Sequence, residues 1–183
     1  MIVEETAIPA VKILTPRKFG DHRGFFSETY NRETFAKAGL DLTFVQDNHS
    51  MSAAVGTLRG LHFQSHPFAQ DKLIRVVRGR ILDVAVDIRR ASPTFGRHVA
   101  VELSAQNWQQ LLVPVGFAHG FVTLEPDTEV LYKVTALYSG AHDLGLAFDD
   151  PTLGIGWPLP AEGPILSDKD RAHPRLSNLP AYF

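Results

Sequence analysis

The segment Arg-Gly-Leu-His-Phe-Gln-Ser-His, residues 59–66, concentrates side chains that can bind anions or transfer protons. His62 and His66 are four residues apart, a spacing that lets two histidines bind one metal ion on a helix. A single neutral histidine can instead act as a general base without a metal. Pro67 follows His66 and disfavours a helix there, and on a strand the two histidines would lie far apart along one face. The segment therefore favours a metal-free base.

A longer pattern around His62 resembles the first metal-binding motif of cupins, which are small double-stranded β-barrels. Gly56 precedes His62 by six residues, as that motif requires. Gln64 then replaces the second histidine, no glutamate follows at the required spacing, and Lys72 lies in that neighbourhood. A divalent metal needs several converging neutral or anionic ligands, and an ammonium group at the centre would repel it. The sequence therefore predicts no metal at this site.

A second cupin motif is better preserved farther along the chain. Pro114, Gly116 and His119 occupy three of its positions, and Thr123 replaces the asparagine that closes it. The chain thus resembles a cupin that has lost most of its metal ligands and gained a cation, Lys72.

Period-two alternation predicts that strands position these residues. Residues 83–88 place valine and isoleucine on one face and Asp83, Ala85 and Asp87 on the other, which predicts a half-buried strand. Around Arg78-Gly79-Arg80 the pattern predicts two strands joined as a hairpin. Short strands separated by turn residues are typical of an all-β sandwich or barrel. Further strands are predicted over residues 98–103, 109–114, 120–125 and 128–138.

Two segments depart from the strand pattern. Asn31 is predicted to cap one short N-terminal helix over residues 32–39, which ends at its glycine and turns Phe35 and Ala38 inward. The last 33 residues hold half of the 12 prolines, which predicts an irregular C-terminal tail wrapped around the barrel. No repeat or linker is visible, so we expect one domain over residues 1–183.

Composition and charge exclude several classes of protein. The formal net charge is −2, so there is no bulk electrostatic case for binding nucleic acid or an acidic membrane surface. No apolar run approaches the roughly 18 residues of a membrane span, and the first ten residues carry acids where a signal peptide needs bases. Cysteine is absent, which excludes disulfides and thiolate metal sites. We expect a cytoplasmic protein without nucleic-acid or membrane partners.

Seven sequence blocks resemble, in order and over nearly the whole chain, the dTDP-4-dehydrorhamnose 3,5-epimerase family. No single block is specific, but seven in the family's order are. The blocks cover residues 19–31, 44–52, 58–64, 83–96, 113–124, 131–139 and 166–170. The resemblance implies a cupin-like jelly roll, or double-stranded β-helix, that works as a homodimer without metal or organic cofactor. It implies inversion at C3 and C5 of dTDP-4-dehydro-6-deoxy-D-glucose to give dTDP-4-dehydro-L-rhamnose.

Inversion beside a ketone needs a base, an oxyanion stabiliser and an acid on the opposite face of the ring. The hydrogens on C3 and C5 both lie α to the C4 carbonyl, so the same enolate mechanism can invert either carbon. His62 is suited to be the base, and the resemblance gives Asp170 the role of holding its tautomer. Lys72 is the expected counter-charge for the enolate oxygen, and Tyr132 is the expected acid.

The remaining site residues are expected to bind the nucleotide and the sugar. Arg59 lies three residues before His62, close enough to hold a diphosphate bidentately. The resemblance implies that Arg23 and Glu28 reach the site from the partner subunit. Tyr138, or an aromatic residue of the segment 19–26, is expected to stack on thymine. Further substrate contacts are expected from Lys72, His119, Gln46, Asp47, Asn48, Asp143 and Lys169.

Two departures from the family concern nucleotide binding or packing. Asp143 stands where glutamate is more common, and residues 145–151 replace a stretch of the form Ile-x-Trp. Two alternatives stay open: an epimerase that inverts only C3 or only C5 of another nucleotide-linked 4-ketosugar, and a non-catalytic cupin that binds a sugar nucleotide. The histidines outside these motifs are expected to be structural; they are His49, His66, His98, His142 and His173.

Overall fold

The computed structural model describes all 183 residues, and nearly all its regular structure is antiparallel β-sheet. The prediction of an all-β fold is confirmed. The strands are β1 (Ile2–Glu5), β2 (Lys12–Thr15), β3 (Phe19–Asp21), β4 (Gly24–Phe26), β5 (Gln46–Ser52), β6 (Leu58–Gln64), β7 (Lys72–Arg78), β8 (Arg80–Asp87), β9 (His98–Ser104), β10 (Gln110–Val113), β11 (Phe117–Thr123), β12 (Thr128–Val134) and β13 (Asp143–Gly145). The helices are α1 (Arg32–Lys37), α2 (Asp168–Arg171) and a 3-10 turn, Leu176–Asn178.

Two sheets pack face to face, and a small hairpin lies apart from them. The six-stranded sheet has the order β1-β2-β10-β7-β12-β5, and the five-stranded sheet has the order β13-β6-β11-β8-β9. The β3–β4 hairpin forms the third sheet. A core cluster between the two large sheets contains Ile74 and Val130 from the first sheet and Ala85 and Phe121 from the second. Each sheet thus contributes its inner face to one shared core.

Strand β8 is buried on both faces, so the prediction of a half-buried strand is wrong. Ala85 belongs to the core between the sheets, whereas Val84 and Val86 pack in a second cluster with Leu153 and Leu179 of the C-terminal tail. The alternation predicted from the sequence is real, but the tail covers the outer face. The polar residues of this strand, Asp83 and Asp87, are fully buried.

The predicted hairpin around Gly79 is also wrong, because β7 and β8 lie in different sheets. The chain crosses from one sheet to the other at Gly79, which has a φ of 78°. A Cβ at this position would overlap the side chain of Thr128, so the crossing needs glycine. A glycine turn between two apolar strands looks the same in sequence for a hairpin and for a crossing.

Helix α1 begins as predicted and buries a slightly different face. The Asn31 side chain accepts hydrogen bonds from the backbone N–H groups of Glu33 and Thr34, and Phe35 is only 1% exposed. Ala38 was predicted to face inward but is exposed, and Leu40, after the helix end, is buried instead. The turn at the end of the helix changes the direction of the chain, so helical periodicity does not predict which residue after it is buried.

The C-terminal tail wraps the five-stranded sheet, but it is not wholly irregular. It contains α2 and the 3-10 turn, so the prediction of a single helix is wrong. Ser167 caps α2 by accepting a hydrogen bond from the Asp170 N–H. The tail is fastened to the barrel by backbone hydrogen bonds from Leu58 N–H to Ile165 O and from Ile165 N–H to Gly56 O. None of the helices has the length and apolar character needed to span a bilayer.

Candidate active site

A cavity of about 400 Å³ opens between the two sheets at one end of the barrel. His62 on β6 and His119 on β11 line it from the five-stranded sheet, and Lys72 on β7 and Tyr132 on β12 line it from the six-stranded sheet. Residues 165–167, together with Lys169 and Asp170, close it from the tail. The fold thus gathers chemically active side chains from both sheets and the tail around one space.

His62 and Asp170 lie 108 residues apart in the chain and are in direct contact. The distance from His62 Nε2 to Asp170 Oδ1 is 2.5 Å, and Asp170 is buried. The second carboxylate oxygen, Oδ2, accepts a hydrogen bond of 2.9 Å from the Ser167 hydroxyl. Burial acts to raise the pKa of Asp170, but the polar contacts with His173, His62 and Ser167 outweigh it and hold that pKa well below its ordinary value.

These contacts define the tautomer of His62. An ionised Asp170 can only accept hydrogen bonds, so His62 Nε2 donates and the lone pair is on Nδ1. Burial lowers the pKa of His62, Asp170 opposes this shift, and the Lys72 charge adds to it. The imidazole is therefore neutral near pH 7, and its Nδ1 makes no hydrogen bond within the protein. A side chain in this state can accept a proton.

Lys72 is a buried cation beside the histidine. Its Nζ donates a hydrogen bond of 3.3 Å to the backbone carbonyl oxygen of His62. Burial lowers the pKa of Lys72 to about 8, although Asp143 and Asp83 act in the opposite direction. The ammonium is therefore protonated at pH 7 and is placed to attract a negative charge that develops in the cavity.

Tyr132 contributes a phenol from the opposite sheet. Burial raises its pKa above the ordinary value, and the nearby Arg59 only partly opposes that shift. The hydroxyl therefore keeps its proton at neutral pH, and it makes no hydrogen bond within the protein. Because His62 and Tyr132 line the cavity from different sheets, a proton acceptor and a proton donor flank the same space.

His119 forms a second buried histidine–carboxylate pair. It lies opposite His62 in the β6–β11 register, and its Nε2 is 2.6 Å from Asp83 Oδ1. Asp83 was not predicted as a site residue, although an aspartate between apolar neighbours in a strand was an available signal. The pair fixes the His119 ring at the cavity wall.

The predicted binding residues at the cavity mouth form a polar network. Arg59 donates hydrogen bonds to Ser52 Oγ and Met51 O, and it keeps further N–H groups free. Asp143 accepts a hydrogen bond from the Tyr138 hydroxyl and pairs with Lys169, so its shorter side chain still reaches both partners.

Two predicted binding residues on β5 extend this network. Gln46 accepts a hydrogen bond from the Tyr138 N–H and donates one to Asn48 Oδ1.

Three predicted binding residues belong neither to the cavity lining nor to this network. Asp47 lies on the exposed face of β5 and pairs with Lys133 at 2.7 Å. Arg23 is exposed on the β3–β4 hairpin, where it pairs with Asp21, and Glu28 accepts a hydrogen bond from Asn31. For Arg23 and Glu28, a role in the site of a partner subunit stays a prediction.

One histidine that was expected to be purely structural lies beside the base. His173 Nε2 is 3.5 Å from Asp170 Oδ1, and its ring packs edge-on against His62 with 5.5 Å between centroids. Ser167, which caps α2 and binds Asp170, was also missed. Its capping role was visible in the sequence, whereas its contact with the carboxylate depends on where the tail lies.

His62, Asp170 and His173 are the group whose ligand atoms come closest to a metal-binding arrangement, all within 4.8 Å of one another. A tetrahedral zinc site with bonds of about 2.0–2.1 Å separates its ligand atoms by about 3.3 Å. The 2.5 Å contact between His62 and Asp170 is too short for a metal to bridge both. This geometry fits a hydrogen-bonded base better than a metal centre.

Comparisons with known proteins give matches over nearly the whole chain. The profile of the family described as dTDP-4-dehydrorhamnose 3,5-epimerase matches residues 5–178. The dTDP-4-dehydrorhamnose 3,5-epimerase of Sinorhizobium fredii is 54% identical over 183 residues, which cover 100% of this chain and 93% of that protein.

Two solved structures extend the match to three dimensions. The Bacillus anthracis dTDP-4-dehydrorhamnose 3,5-epimerase with TDP and PPi bound has a TM-score of 0.91 and 54% identity, and the match covers 95% of this chain and 98% of that one. The Legionella pneumophila dTDP-6-deoxy-D-glucose-3,5-epimerase in complex with dTDP-4-keto-L-rhamnose has a TM-score of 0.94 and 43% identity, with coverage of 98% and 95%. The predicted cupin-like jelly roll is thereby confirmed. The chain belongs to the dTDP-4-dehydrorhamnose 3,5-epimerase family.

Proposed function

We propose that this protein inverts C3 and C5 of dTDP-4-dehydro-6-deoxy-D-glucose to give dTDP-4-dehydro-L-rhamnose, using His62 as base and Tyr132 as acid. The observation that carries the assignment of roles is the placement of a neutral imidazole and a protonated phenol on different sheets that flank one cavity. Inversion requires this arrangement, because the proton leaves one face of the sugar and returns to the other. The ligand of the Legionella relative, dTDP-4-keto-L-rhamnose, supports the substrate class.

The reaction follows from the protonation states of the four central groups. His62 Nδ1 takes the proton α to the C4 ketone, and Asp170 stabilises the imidazolium that forms. The electrons move onto the ketone oxygen, where the Lys72 ammonium stabilises the enolate. Tyr132 then gives its proton to the other face of the carbon. Solvent reprotonates the phenolate and removes the proton from His62, which resets the site for the second carbon.

The mouth of the cavity is suited to the nucleotide diphosphate. We assign the free N–H groups of Arg59 to the diphosphate oxygens, because a guanidinium binds such oxygens bidentately. Tyr138 is 63% exposed beside Lys169 and Asp143, and we assign it to stacking on thymine.

A homodimer completes the proposed site. The β3–β4 hairpin exposes Phe25 and Phe26 at 57% and 67%, and carries Arg23 away from its own cavity. Exposed aromatic groups next to an exposed cation are suited to a two-fold interface that delivers Arg23 to the partner's cavity. We further propose a cytoplasmic protein with one domain over residues 1–183.

Exchange of the substrate's hydrogens with solvent distinguishes the role of His62 as base from that of Tyr132 as acid. His62→Ala should abolish exchange of the C3 and C5 hydrogens with deuterated water, because no enolate forms. Tyr132→Phe should allow exchange but block inversion at one carbon or both, because His62 can return the proton to the face it came from. We expect each variant to lose about 10²–10⁴ in the rate of inversion. NMR of substrate and product in deuterated water measures exchange and configuration together, and Lys133→Ala on the opposite face of β12 is the control. Exchange at the wild-type rate in His62→Ala would rule out His62 as the base.

The pKa of Lys72 predicts an alkaline limit to activity. Because its pKa is lowered to about 8, the cation is present below that pH and lost as the pH rises through it. We expect kcat/KM to fall above pH 8 in the wild type. Lys72→Arg should move this fall well above pH 9, since arginine stays protonated there. The control is Lys133→Arg on the other face of the sheet, which should keep the wild-type profile. An unchanged alkaline limb in Lys72→Arg would contradict the assignment.

The proposed reaction needs no metal ion. We expect full activity after exhaustive treatment with EDTA and dialysis against metal-free buffer, because Lys72 supplies the positive charge and His62 the base. The measurement is the initial rate coupled to a reductase for the product. Loss of activity that returns with one equivalent of a divalent ion per subunit would overturn this prediction.

Subunit mixing tests the shared site. If Arg23 acts in the partner's cavity, mixed dimers of inactive Arg23→Ala and inactive His62→Ala contain one intact cavity each. Random mixing should restore about a quarter of wild-type activity, since half the dimers are mixed and each has one working site. The control pair is His62→Ala with Lys72→Ala, which should restore none because both residues belong to one chain's cavity. Sedimentation should show a dimer throughout. No recovery in the first mixture would mean that Arg23 is not supplied in trans.

A further inference from the structure

His173 lies behind the carboxylate that holds the base. The residue lies two positions after the end of α2, its side chain is only 8% exposed, and its Nε2 has no hydrogen-bond partner at ordinary distance. The nearest acceptor is Asp170 Oδ1 at 3.5 Å, the same oxygen that binds His62. The ring rests on the backbone of Gly145, where any Cβ would overlap it. The glycine thus makes room for an imidazole in this place.

The chemistry of the contact defines which atom of His173 carries a proton. Asp170 is ionised, and an unprotonated Nε2 would direct its lone pair at a negative oxygen. Such an arrangement is unfavourable in a buried place, so we assign the ring proton to Nε2, the atom that lies 3.5 Å from Oδ1. Asp170 therefore has two side-chain hydrogen-bond donors, His62 at Oδ1 and Ser167 at Oδ2, and the N–H of His173 as a third, more distant contact at 3.5 Å.

We propose that His173 is a positioning residue that acts through Asp170 to keep the proton affinity of His62 low. The N–H of His173 stabilises the carboxylate charge, so less of that charge is available to stabilise the His62 imidazolium. The proposal rests on His62 being the base, as argued above. It gives the site two histidines with different tasks: His62 exchanges protons with substrate, and His173 never touches it.

The sign of the effect follows from the groups that surround the pair. Lys72 on β7 disfavours the imidazolium of His62, whereas Asp170 and Asp143 favour it. Asp143 is itself paired with Lys169 of α2. Removing the N–H of His173 leaves these groups in place and makes the Asp170 carboxylate more available to His62. The pKa of His62 should then rise, so a larger fraction is protonated and inactive at acidic pH.

Titration of His62 in the free enzyme tests the proposal without reference to the reaction. His173→Leu removes the N–H but fills space, and His173→Gln keeps an N–H donor near the position of Nε2. The imidazole signals of His62, identified by comparison with His62→Ala, are followed by NMR from pH 4 to 9. We expect the midpoint to rise by about half a pH unit or more in His173→Leu and to stay near the wild-type value in His173→Gln.

The variant Asp170→Asn tests whether His173 changes the titration midpoint of His62 through the Asp170 carboxylate. In Asp170→Asn the carboxylate is gone, so adding His173→Leu should leave the midpoint of His62 unchanged. If the shift persists in that background, His173 acts directly on His62 and the proposal is wrong. If neither His173 variant moves the midpoint in the wild-type background while thermal unfolding shows both are folded, His173 only packs against Gly145.

Activity gives the functional readout. The acid limb of kcat/KM should move upward in His173→Leu, so the rate falls more at pH 5 than at pH 8, by up to about threefold for a shift of half a pH unit. A purely structural defect would lower the rate equally at both pH values. Failure of His62 as the base would instead appear as an NMR midpoint that moves while the pH profile does not, which distinguishes the two proposals.

Discussion

The contact between His62 Nε2 and Asp170 Oδ1 is the interaction on which the site depends. It joins a strand in the first half of the chain to a short helix near its end, and it sets both the tautomer and the charge of the imidazole. The carboxylate is buried and ionised only because three donors surround it. The tail must therefore follow a defined path around the barrel, fastened at Gly56 and Leu58 by backbone hydrogen bonds to Ile165.

The two-sheet architecture explains how one small barrel can supply an acid and a base to opposite sides of a sugar. Side chains of neighbouring strands in one sheet point the same way, so a single sheet would place both groups on one side of the ligand. Facing sheets place them on either side, and β7 carries Lys72 into the space between. The crossing at Gly79, where we predicted a hairpin, contributes to this architecture because it moves the chain from one sheet to the other.

Local sequence signals predicted much of this structure. The predictions that were wrong depended on contacts between distant parts of the chain. Alternation located β8, and the cap at Asn31 located α1, because both signals are local. The burial of Val84 and Val86 on the outer face of β8 depends on Leu153 and Leu179 of the distant tail, and no local sequence pattern indicates it.

In the site, too, local sequence patterns did not indicate which distant residues are in contact. His62, Lys72 and Tyr132 could be named from motifs and family resemblance, but the partnership of Asp83 with His119 and the place of His173 behind Asp170 required the folded chain.

The path of the tail has a consequence for how this protein loses activity. The sheets are held by a shared apolar core, and apolar residues of the tail pack on the outer face of β8, whereas α2, which carries Asp170, has only four residues. Local opening of such a segment requires less free energy than unfolding the barrel. An opened tail leaves the imidazole of His62 without its carboxylate while both sheets remain intact. Substitutions around α2 can therefore lower activity by favouring this opened state while the barrel stays folded.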